Sequence, residues 1–508
     1  MRKTAYLIVT VVLFIVTSCK KQAVNYDSDI QWSKVFGGSG VDVAYGAVEQ
    51  ANGSFIIVGY SNSNGSKDSN DGDVVERKSC LTRTSLSGNS YLDCFNEDGW
   101  VLKINANGEV LEKKLYGTAD ALPFVVQLYY PLGNVLLPSI FKPEENSDIF
   151  TSVSSDPSKQ YYIISGQTNA LLSDYQSNRP YDSPYPANPT NAWIEIVDEN
   201  RSSDQQHIFQ EKWYDSVNSI QTLPAGEFIL VGTRDCTKAP TTGSPIEGIT
   251  QISTPYKHST GPSEGFIDKG DTSGKKVRIY LGGGGTDRLH CVVQTTDGGF
   301  VAVGTTNSTD GNLTGIPGKG GQDVWIIKLN ETGTFSWNKR LGGEGDDIAY
   351  SVVSTTDGGF VLAGQTNSND GDVRGNHSSR SDFWIVRFNS VGDTVWKSTF
   401  GGAFGDEIAR SITKTNDEGF VIAGQTNSND GDVRGNHGYS DAWVVKVNKD
   451  GKLQWQKTMG GSSADAATNV ISTSDGGLLV TGYSFSNDGD ISRSLGGSNY
   501  WVVKLKKQ

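Results

Sequence analysis

The sequence contains few residues of the types that build metal sites and redox centres. Among 508 residues there are only 2 Met, 5 Cys, 5 His and 15 Pro. No C-x-x-C pair or Cys/His cluster occurs, so no zinc site is indicated. The H-E-x-x-H and P-loop motifs are absent as well, which leaves no familiar zinc-protease or nucleotide-binding signature. Positive charge is also in deficit, with 44 Lys and Arg against 57 Asp and Glu, and the net charge of −13 argues against a nucleic-acid partner.

Glycine, in contrast, is abundant, with 61 residues. There is no G-X-Y period, which excludes a collagen-like chain. The 20 Tyr, 19 Phe and 11 Trp exclude a disordered polymer. A globular chain with this much glycine has many tight turns, and this favours an all-β fold.

The first residues have the layout of an export signal. A basic start precedes an apolar run at 5–16, which is too short to span a membrane comfortably. The run ends in Val-Thr-Ser-Cys, which resembles the bacterial lipoprotein box. The resemblance implies a signal peptide over 1–18, lipidation of Cys19 and a linker over 19–29. The following Lys20 resembles sorting to the outer membrane of a Gram-negative bacterium, facing either the periplasm or the cell surface. The alternative is an ordinary signal peptide followed by a chance cysteine.

The remaining cysteines are interpreted from that compartment. Cys80 and Cys94 lie close together in one polar stretch, and in an exported protein they are candidates for a local disulfide. Cys236 and Cys291 either pair or remain buried thiols, and the sequence leaves both alternatives open.

An internal repeat indicates the architecture. The run AGQTNSNDGDVRGNH occurs at 363–377 and again at 423–437. One unit reads as four short strands separated by glycine-rich turns, and ten of the eleven tryptophans fall at two positions of the unit. Tandem four-stranded units predict a β-propeller of four-stranded antiparallel blades, with the tryptophans packed between blades.

The blade count follows from a sequence pattern at the start of each first strand. In this pattern an acid is followed by two apolar residues that are three positions apart. Seven acids fit this pattern: Asp42, Asp148, Asp215, Asp287, Asp347, Glu407 and Asp465. Seven outer strands are predicted to end near Phe36, Leu115, Trp213, Leu281, Leu341, Phe400 and Met459. The last unit supplies three strands, so we expect 30–36 to complete its blade. The prediction is one seven-bladed ring over 30–506, closed by its N-terminal strand.

Long loops are expected on one face of this ring. The insertions at 61–99, 118–147, 169–191 and 234–264 all connect strands at the same end of the blades. Such asymmetry predicts a binding face, and the alternative is neutral decoration of a tolerant region. Candidate partner-binding residues are Tyr129, Tyr130, Tyr175, Tyr181 and Tyr185. The alternative for these tyrosines is packing of each loop on its own blade.

The seven first-strand acids are expected around the mouth of the channel. They could hold a cation such as Ca²⁺, but acceptance of backbone N–H groups in their own turns is the favoured interpretation. The repeated SNDGD loops match calcium-loop spacing poorly and are better explained as turns. His377 and His437 are expected to be solvated. The sequence therefore predicts no cofactor, with Ca²⁺ as the one candidate cation.

The repeat pattern, GG…D-x-A…DGGF…AG-x-T…WVVK, resembles the β-propeller repeats of bacterial exported lipoproteins, clearly over 278–505 and partially over 30–277. The segment 443–461 also resembles quinoprotein-like propellers, one lipoprotein member of which is a scaffold for outer-membrane protein assembly. The resemblance implies a lipid-anchored, non-enzymatic binding or scaffold protein for a protein or glycan partner. The alternatives are an accessory subunit of an outer-membrane export or assembly complex and a polysaccharide-active enzyme.

Overall fold

Short antiparallel strands make up most of the protein. The computed structural model describes residues 30–63, 81–84, 90–93, 98–116, 148–155, 161–168, 191–198, 205–207, 215–236, 261–271 and 276–507. These residues form thirty strands and two single 3₁₀ turns, at Pro224–Gly226 and Gly311–Leu313. Within the described ranges, no helix is long and apolar enough to cross a membrane.

The strands assemble into seven four-stranded antiparallel sheets and one two-stranded hairpin. We number the sheets in chain order, each from its innermost strand outwards. Sheet 1 contains β2 (Asp42–Glu49), β3 (Phe55–Ser61), β6 (Asp98–Ile104) and β7 (Val110–Tyr116), and the hairpin is β4 (Leu81–Thr84) with β5 (Ser90–Asp93). Sheet 2 contains β8 (Asp148–Ser155), β9 (Tyr161–Thr168), β10 (Asn191–Asp198) and β11 (Gln205–His207). Sheet 3 contains β12 (Asp215–Thr222), β13 (Glu227–Asp235), β14 (Ser263–Asp271) and β15 (Lys276–Leu281).

The later sheets are more regular and follow the repeat. Sheet 4 contains β16 (Asp287–Gln294), β17 (Phe300–Thr306), β18 (Asp323–Leu329) and β19 (Phe335–Leu341). Sheet 5 contains β20 (Asp347–Ser354), β21 (Phe360–Thr366), β22 (Asp382–Phe388) and β23 (Thr394–Phe400). Sheet 6 contains β24 (Glu407–Lys414), β25 (Phe420–Thr426), β26 (Asp441–Val447) and β27 (Leu453–Met459). Sheet 7 contains β28 (Asp465–Ser472), β29 (Leu478–Ser484), β30 (Asn499–Leu505) and β1 (Ile30–Phe36).

This arrangement confirms an all-β propeller of four-stranded antiparallel blades. The innermost strands of consecutive sheets contact one another along the chain, and β28 of sheet 7 contacts β2 of sheet 1. Strand β1 pairs with β30 in antiparallel register, with Ser33 opposite Val503 and Phe36 opposite Tyr500. The first and last strands of the described chain therefore belong to the same sheet.

Glycine turns set the hairpins within each sheet. In sheet 5 the turn between β20 and β21 places Gly358 at φ +86°, a conformation that favours glycine. The Asp357 carboxylate accepts the N–H of Gly359, and the Thr355 N–H bonds to the Gly359 carbonyl. The Asp-Gly-Gly sequence thus supplies both the backbone freedom and the side-chain acceptor that a tight turn needs.

Large aromatic side chains fill the space between sheets. Trp384 of sheet 5 packs with Val301 and Val303 of sheet 4, and Trp443 of sheet 6 packs with Val361 of sheet 5. The fully or almost fully buried tryptophans of the third strands are Trp100, Trp325, Trp384, Trp443 and Trp501. Each hydrophobic cluster with one of them draws residues from two neighbouring sheets, as the repeat positions predict.

One boundary differs from the prediction and another is not described. The outer strand of sheet 2 is β11, at Gln205–His207, and the predicted end near Trp213 lies outside the described residues. In sheet 3, residues 234 and 264 lie on paired strands rather than in an insertion, because the buried Arg234 guanidinium bonds to the Glu264 carboxylate at 3.2 Å. A polar sequence that looks like a loop is here extended by an ion pair between strands.

Candidate functional site

The enlarged connections share one end of the sheets. In an antiparallel sheet, the link between strands two and three and the link to the next sheet leave from the same end, which we call the loop face. The turns at the opposite end are tight, as at 295–299 and 355–359. Four enlarged connections, all at the loop face, run from Ser61 to Asp98, Tyr116 to Asp148, Thr168 to Asn191 and Asp235 to Ser263.

The first-strand acids lie beneath this face. Asp148 and Asp215 begin β8 and β12. The described carboxylates are Asp42, Asp287, Asp347, Glu407 and Asp465, each with 0% of the residue exposed. They therefore lie in a buried layer and not around an open channel mouth, where the sequence predicts them.

Each of these five carboxylates holds a glycine loop of the preceding connection. The Gly343 N–H donates to Oδ2 of Asp347 at 2.8 Å, and the Ser368 hydroxyl donates to the same oxygen at 2.8 Å. The glycine contact recurs at all five acids, at 2.8–2.9 Å. This geometry supports the interpretation of the acids as acceptors of backbone N–H groups, because short, buried bonds to N–H and O–H groups satisfy a carboxylate.

A second layer of acids begins the third strands. Asp323, Asp382 and Asp441 are also fully buried. A Cβ added at Gly342 would lie 2.2 Å from Oδ1 of Asp323 and 2.7 Å from Oδ2 of Asp347. Only glycine lets the chain pass between the two carboxylates. Burial, reinforced by the Asp323 charge, raises the pKa of Asp347 to about 6.

A basic side chain bonds to each acid of the second layer. The Arg340 guanidinium bonds to Asp323 at 2.5 Å, His377 Nδ1 to Asp382 at 2.6 Å, and His437 Nδ1 to Asp441 at 2.8 Å. His377 Nε2 also lies 3.6 Å from Asp432 of the next sheet. The bond to Asp382 raises the pKa of His377. Both histidines keep contact with solvent, as expected, and each is in addition the partner of a buried acid.

In sheet 7 an amide replaces the second-layer acid, and the basic partner is replaced too. Asn499 accepts the N–H of Leu495 at 2.9 Å and donates to the Gly38 carbonyl at 3.2 Å. The acid and its basic partner thus change together.

The aspartates of the SNDGD loops accept backbone N–H groups of the glycine-rich connections between sheets. Asp370 accepts the N–H of Glu344 at 2.9 Å, and Asp488 accepts that of Ser462 at 2.7 Å. Among the described residues, no group of three or more His, Cys, Asp or Glu side chains is arranged to hold a metal ion. The carboxylates of these loops are used in backbone contacts.

Several predicted site residues lie outside the described residues. These are Cys19, Cys80, Cys94, Tyr129, Tyr130, Tyr175, Tyr181 and Tyr185. Cys236 and Cys291 are described, and both are thiols that are not joined in a disulfide. Burial raises the pKa of the Cys291 thiol, so the neutral form is favoured.

A second feature lies at the central channel and was not predicted. Every innermost strand carries a β-bulge at the same place, so one residue per strand has no partner in its own sheet. The bulged residues are Tyr45, Thr151, Asn218, His290, Tyr350, Arg410 and Thr468, and all are half-buried. Since the free edges of the innermost strands face the centre of the ring, these residues form a belt around the channel.

Hydrogen bonds link members of this belt to the next sheet. The Asn218 amide donates to the Leu289 carbonyl at 2.7 Å, and His290 Nδ1 lies 2.8 Å from the Ala349 carbonyl. The Thr151 and Thr468 hydroxyls make the corresponding bonds to Val217 and Ala44. Each acceptor directly precedes the next bulge, so the contacts repeat from sheet to sheet.

The sequence does contain a signal for the belt. The bulged residue is always the third after the first-strand acid, and it is a polar or aromatic residue that directly follows an apolar one. The alternation of apolar and polar residues assigns such a residue to one face of a regular strand, because this alternation does not reveal an inserted residue.

Comparison with known proteins gives little beyond the fold. No family model matches the chain. The regulatory protein FlaEY of Caulobacter vibrioides (strain ATCC 19089 / CIP 103742 / CB 15) is 22% identical over 232 residues, which are 42% of this chain and 24% of that protein. The chain thus matches about a quarter of the length of this curated relative.

Two solved structures align along most of the chain. The hydrazine synthase of Kuenenia stuttgartiensis has a TM-score of 0.44 and 11% identity, covering 90% of this chain and 96% of that chain. A fungal alcohol oxidase in complex with copper has a TM-score of 0.43 and 9% identity, covering 94% of this chain and 76% of that chain. At these values neither likeness bears on what the chain does.

Proposed function

We propose that this protein is a lipid-anchored propeller of the outer membrane or cell surface, which binds a protein or glycan partner through its loop face without catalysing a reaction. In this proposal Cys19 carries the anchor and the propeller presents the loop face to its partner. The insertions between β3 and β6, β7 and β8, β9 and β10, and β13 and β14 supply the contact surface.

We further propose that the seven sheets act as one closed seven-bladed ring with β1 as its clasp. The pairing of β1 with β30 and the contact of β28 with β2 support this. A closed propeller keeps only short, protected sheet edges, so it can carry large loops with little exposure of strands to aggregation.

One observation carries the binding proposal: the four enlarged connections leave the same end of the sheets, while the turns at the other end stay tight. Insertions that only decorated the surface would be distributed over both ends. Loops concentrated on one face of a rigid scaffold are the usual arrangement of a binding surface.

The test is a loop deletion. In affinity purification from detergent-solubilised membranes, variants with 118–147 or 171–191 replaced by a short glycine linker should no longer capture the partner. They should also fail to bind the purified partner. The matched control is the double variant Val391→Ser/Val395→Ser, which changes exposed apolar side chains of sheet 5 outside the loop face. If both deletion variants fold and still capture the partner as the unmodified protein does, the proposal is refuted.

The nature of the captured partner separates the alternatives. Co-purification with a β-barrel would favour an accessory role in an outer-membrane export or assembly complex. Turnover of a polysaccharide that is lost on substitution of one buried acid would instead favour an enzyme. The anchor is tested separately, since Cys19→Ser should end incorporation of labelled palmitate and release the protein from the membrane fraction.

A further inference from the structure

The belt around the channel is polar all round, but its chemistry is uneven. Positive charge is concentrated on β16 and β24, which carry Arg288 and Arg410, and β20 with Tyr350 lies between them. The Arg410 guanidinium lies 4.7 Å from the centre of the Tyr350 ring. The His290 ring is stacked with Tyr350 at 5.2 Å. Three neighbouring sheets thus hold one stacked column of side chains.

The column continues towards the loop face through sheet 7. Phe485, 45% exposed, makes an edge contact with Tyr483 at 5.9 Å between ring centres. The Arg410 charge opposes the rise that burial causes in the pKa of Tyr483, so the guanidinium is close to that ring as well. Arg410 therefore contacts the Tyr350 ring, and its charge also acts on Tyr483.

The two arginines lack the partner that other cations of the protein have. Buried Arg340 and Arg278 bond to Asp323 and Asp268, each at 2.5–2.6 Å. Within the described ranges, neither the Arg288 nor the Arg410 side chain has a hydrogen bond or an ion pair. The contrast matters because the chain as a whole carries a net charge of −13. Both guanidinium charges act on His290, so the two arginines make a local positive site in an acidic protein.

The state of His290 adds to this arrangement. A carbonyl oxygen only accepts, so the bond to Ala349 requires the proton on Nδ1. Burial, followed by the charges of Arg288 and Arg410, lowers the pKa of His290 to about 4. The ring is therefore neutral near pH 7 and serves as a spacer that holds Tyr350, while the arginines supply the charge.

We propose that the central channel binds a small oxyanion ligand at Arg288 and Arg410, by the carboxylate, sulfate or phosphate group of that ligand. Stacking on Tyr350 holds one face of the Arg410 guanidinium and leaves its N–H edge available for a bidentate bond. A guanidinium suits this role better than an ammonium, because its planar fork matches the oxygens of an oxyanion. The site goes beyond the proposed binding function, and it stands whether or not the loop face has a partner.

Calorimetric titration of the full-length protein tests this site with sodium glucuronate, sodium sulfate and inorganic phosphate as separate probes, at low ionic strength. At least one probe should bind, and Arg410→Gln should weaken that binding about tenfold or more. Arg410→Lys should restore little of it, because an ammonium cannot form the planar fork. The order of the three affinities shows which oxyanion the site prefers.

Two variants keep the test decisive. Arg288→Gln leaves the Tyr350 stack intact and should weaken binding several-fold even where Arg410→Gln impairs folding. Arg374→Gln is the matched control, because this exposed arginine of the loop face bonds only to backbone carbonyls, including that of Gly371 at 3.2 Å. The proposal is overturned if no probe binds below about 10 mM. It is also overturned if both channel variants bind as the unmodified protein does.

Discussion

The energetic effect of the contact between neighbouring sheets can be measured by substituting one glycine. Gly451, in the turn between β26 and β27, lies against Trp396 on the outer strand of sheet 5. A Cβ added there would lie 2.6 Å from Cε3 of the indole. The same turn accepts the Trp396 Nε1–H at the Lys449 carbonyl, at 3.0 Å. The indole is therefore held in place and cannot move aside without losing a hydrogen bond.

Two separate costs are expected for Gly451→Ala. Gly451 has φ +75°, and an alanine there costs about 1 kcal/mol from the left-handed backbone alone. Overpacking against a fixed ring adds about 1–3 kcal/mol. The control is Gly53→Ala, since Gly53 has φ +77° but no atom within 4 Å of its added Cβ. The difference between the two variants isolates the contact with Trp396, so we expect a gap of about 1–3 kcal/mol.

Guanidinium unfolding of both variants, followed by tryptophan fluorescence, gives the two free energies. A double variant, Gly451→Ala with Trp396→Leu, should recover part of the loss, because the smaller side chain leaves room for the methyl group. Equal destabilisation at Gly451 and Gly53, within about 0.5 kcal/mol, would refute the claim that the Trp396 indole is fixed against the turn of the next sheet.

Three further results are expected. Asp382 raises the pKa of His377, so the stability that this pair contributes is complete below pH 6.5 and is lost as the pH rises through the raised pKa. The variant His377→Gln should therefore show a smaller fall in melting temperature above pH 6.5 than the unmodified protein. The pKa of Asp347 is raised from 3.8 to about 6, so its ionisation destabilises the fold as the pH rises through that window, and Asp347→Asn should flatten the fall in melting temperature between pH 4 and 7. Deleting 30–36 should leave the outer edge of β30 unpaired and produce aggregates in size-exclusion chromatography, whereas a monomer of unchanged stability would contradict the clasp.

The sequence predicts the scaffold well because the scaffold repeats. The four-stranded blade and its glycine turns follow from local patterns that recur along the chain, and the tryptophans of the third strands are buried between sheets as expected. Prediction is poorest where the repeat is degenerate: residues 234 and 264 are predicted to lie in an insertion but belong to paired strands of sheet 3. Short strands with few apolar residues leave no period to detect.

The site was harder to predict for a different reason. The first-strand acids recur once per unit, and recurrence alone does not tell whether an acid faces the channel or accepts buried N–H groups. Three-dimensional closeness decides it: the carboxylates of Asp347 and Asp323 flank the same glycine, although 24 residues separate them in sequence. Neither their pairing nor the role of His377 can be deduced from spacing within one unit, because both depend on the neighbouring sheet.

Repetition itself separates structural positions from functional ones. Positions that keep one chemistry in the regular sheets, such as the first-strand acid and the third-strand tryptophan, are buried and serve every sheet in the same way. The bulged position keeps its geometry but changes its chemistry, from Thr151 to His290 to Arg410. A bulged side chain has no partner in its own sheet and faces the channel, so its identity can change without disturbing the core. In a ring of similar sheets, a site at the centre must be built from such positions, because they are the ones where each sheet can contribute a different group.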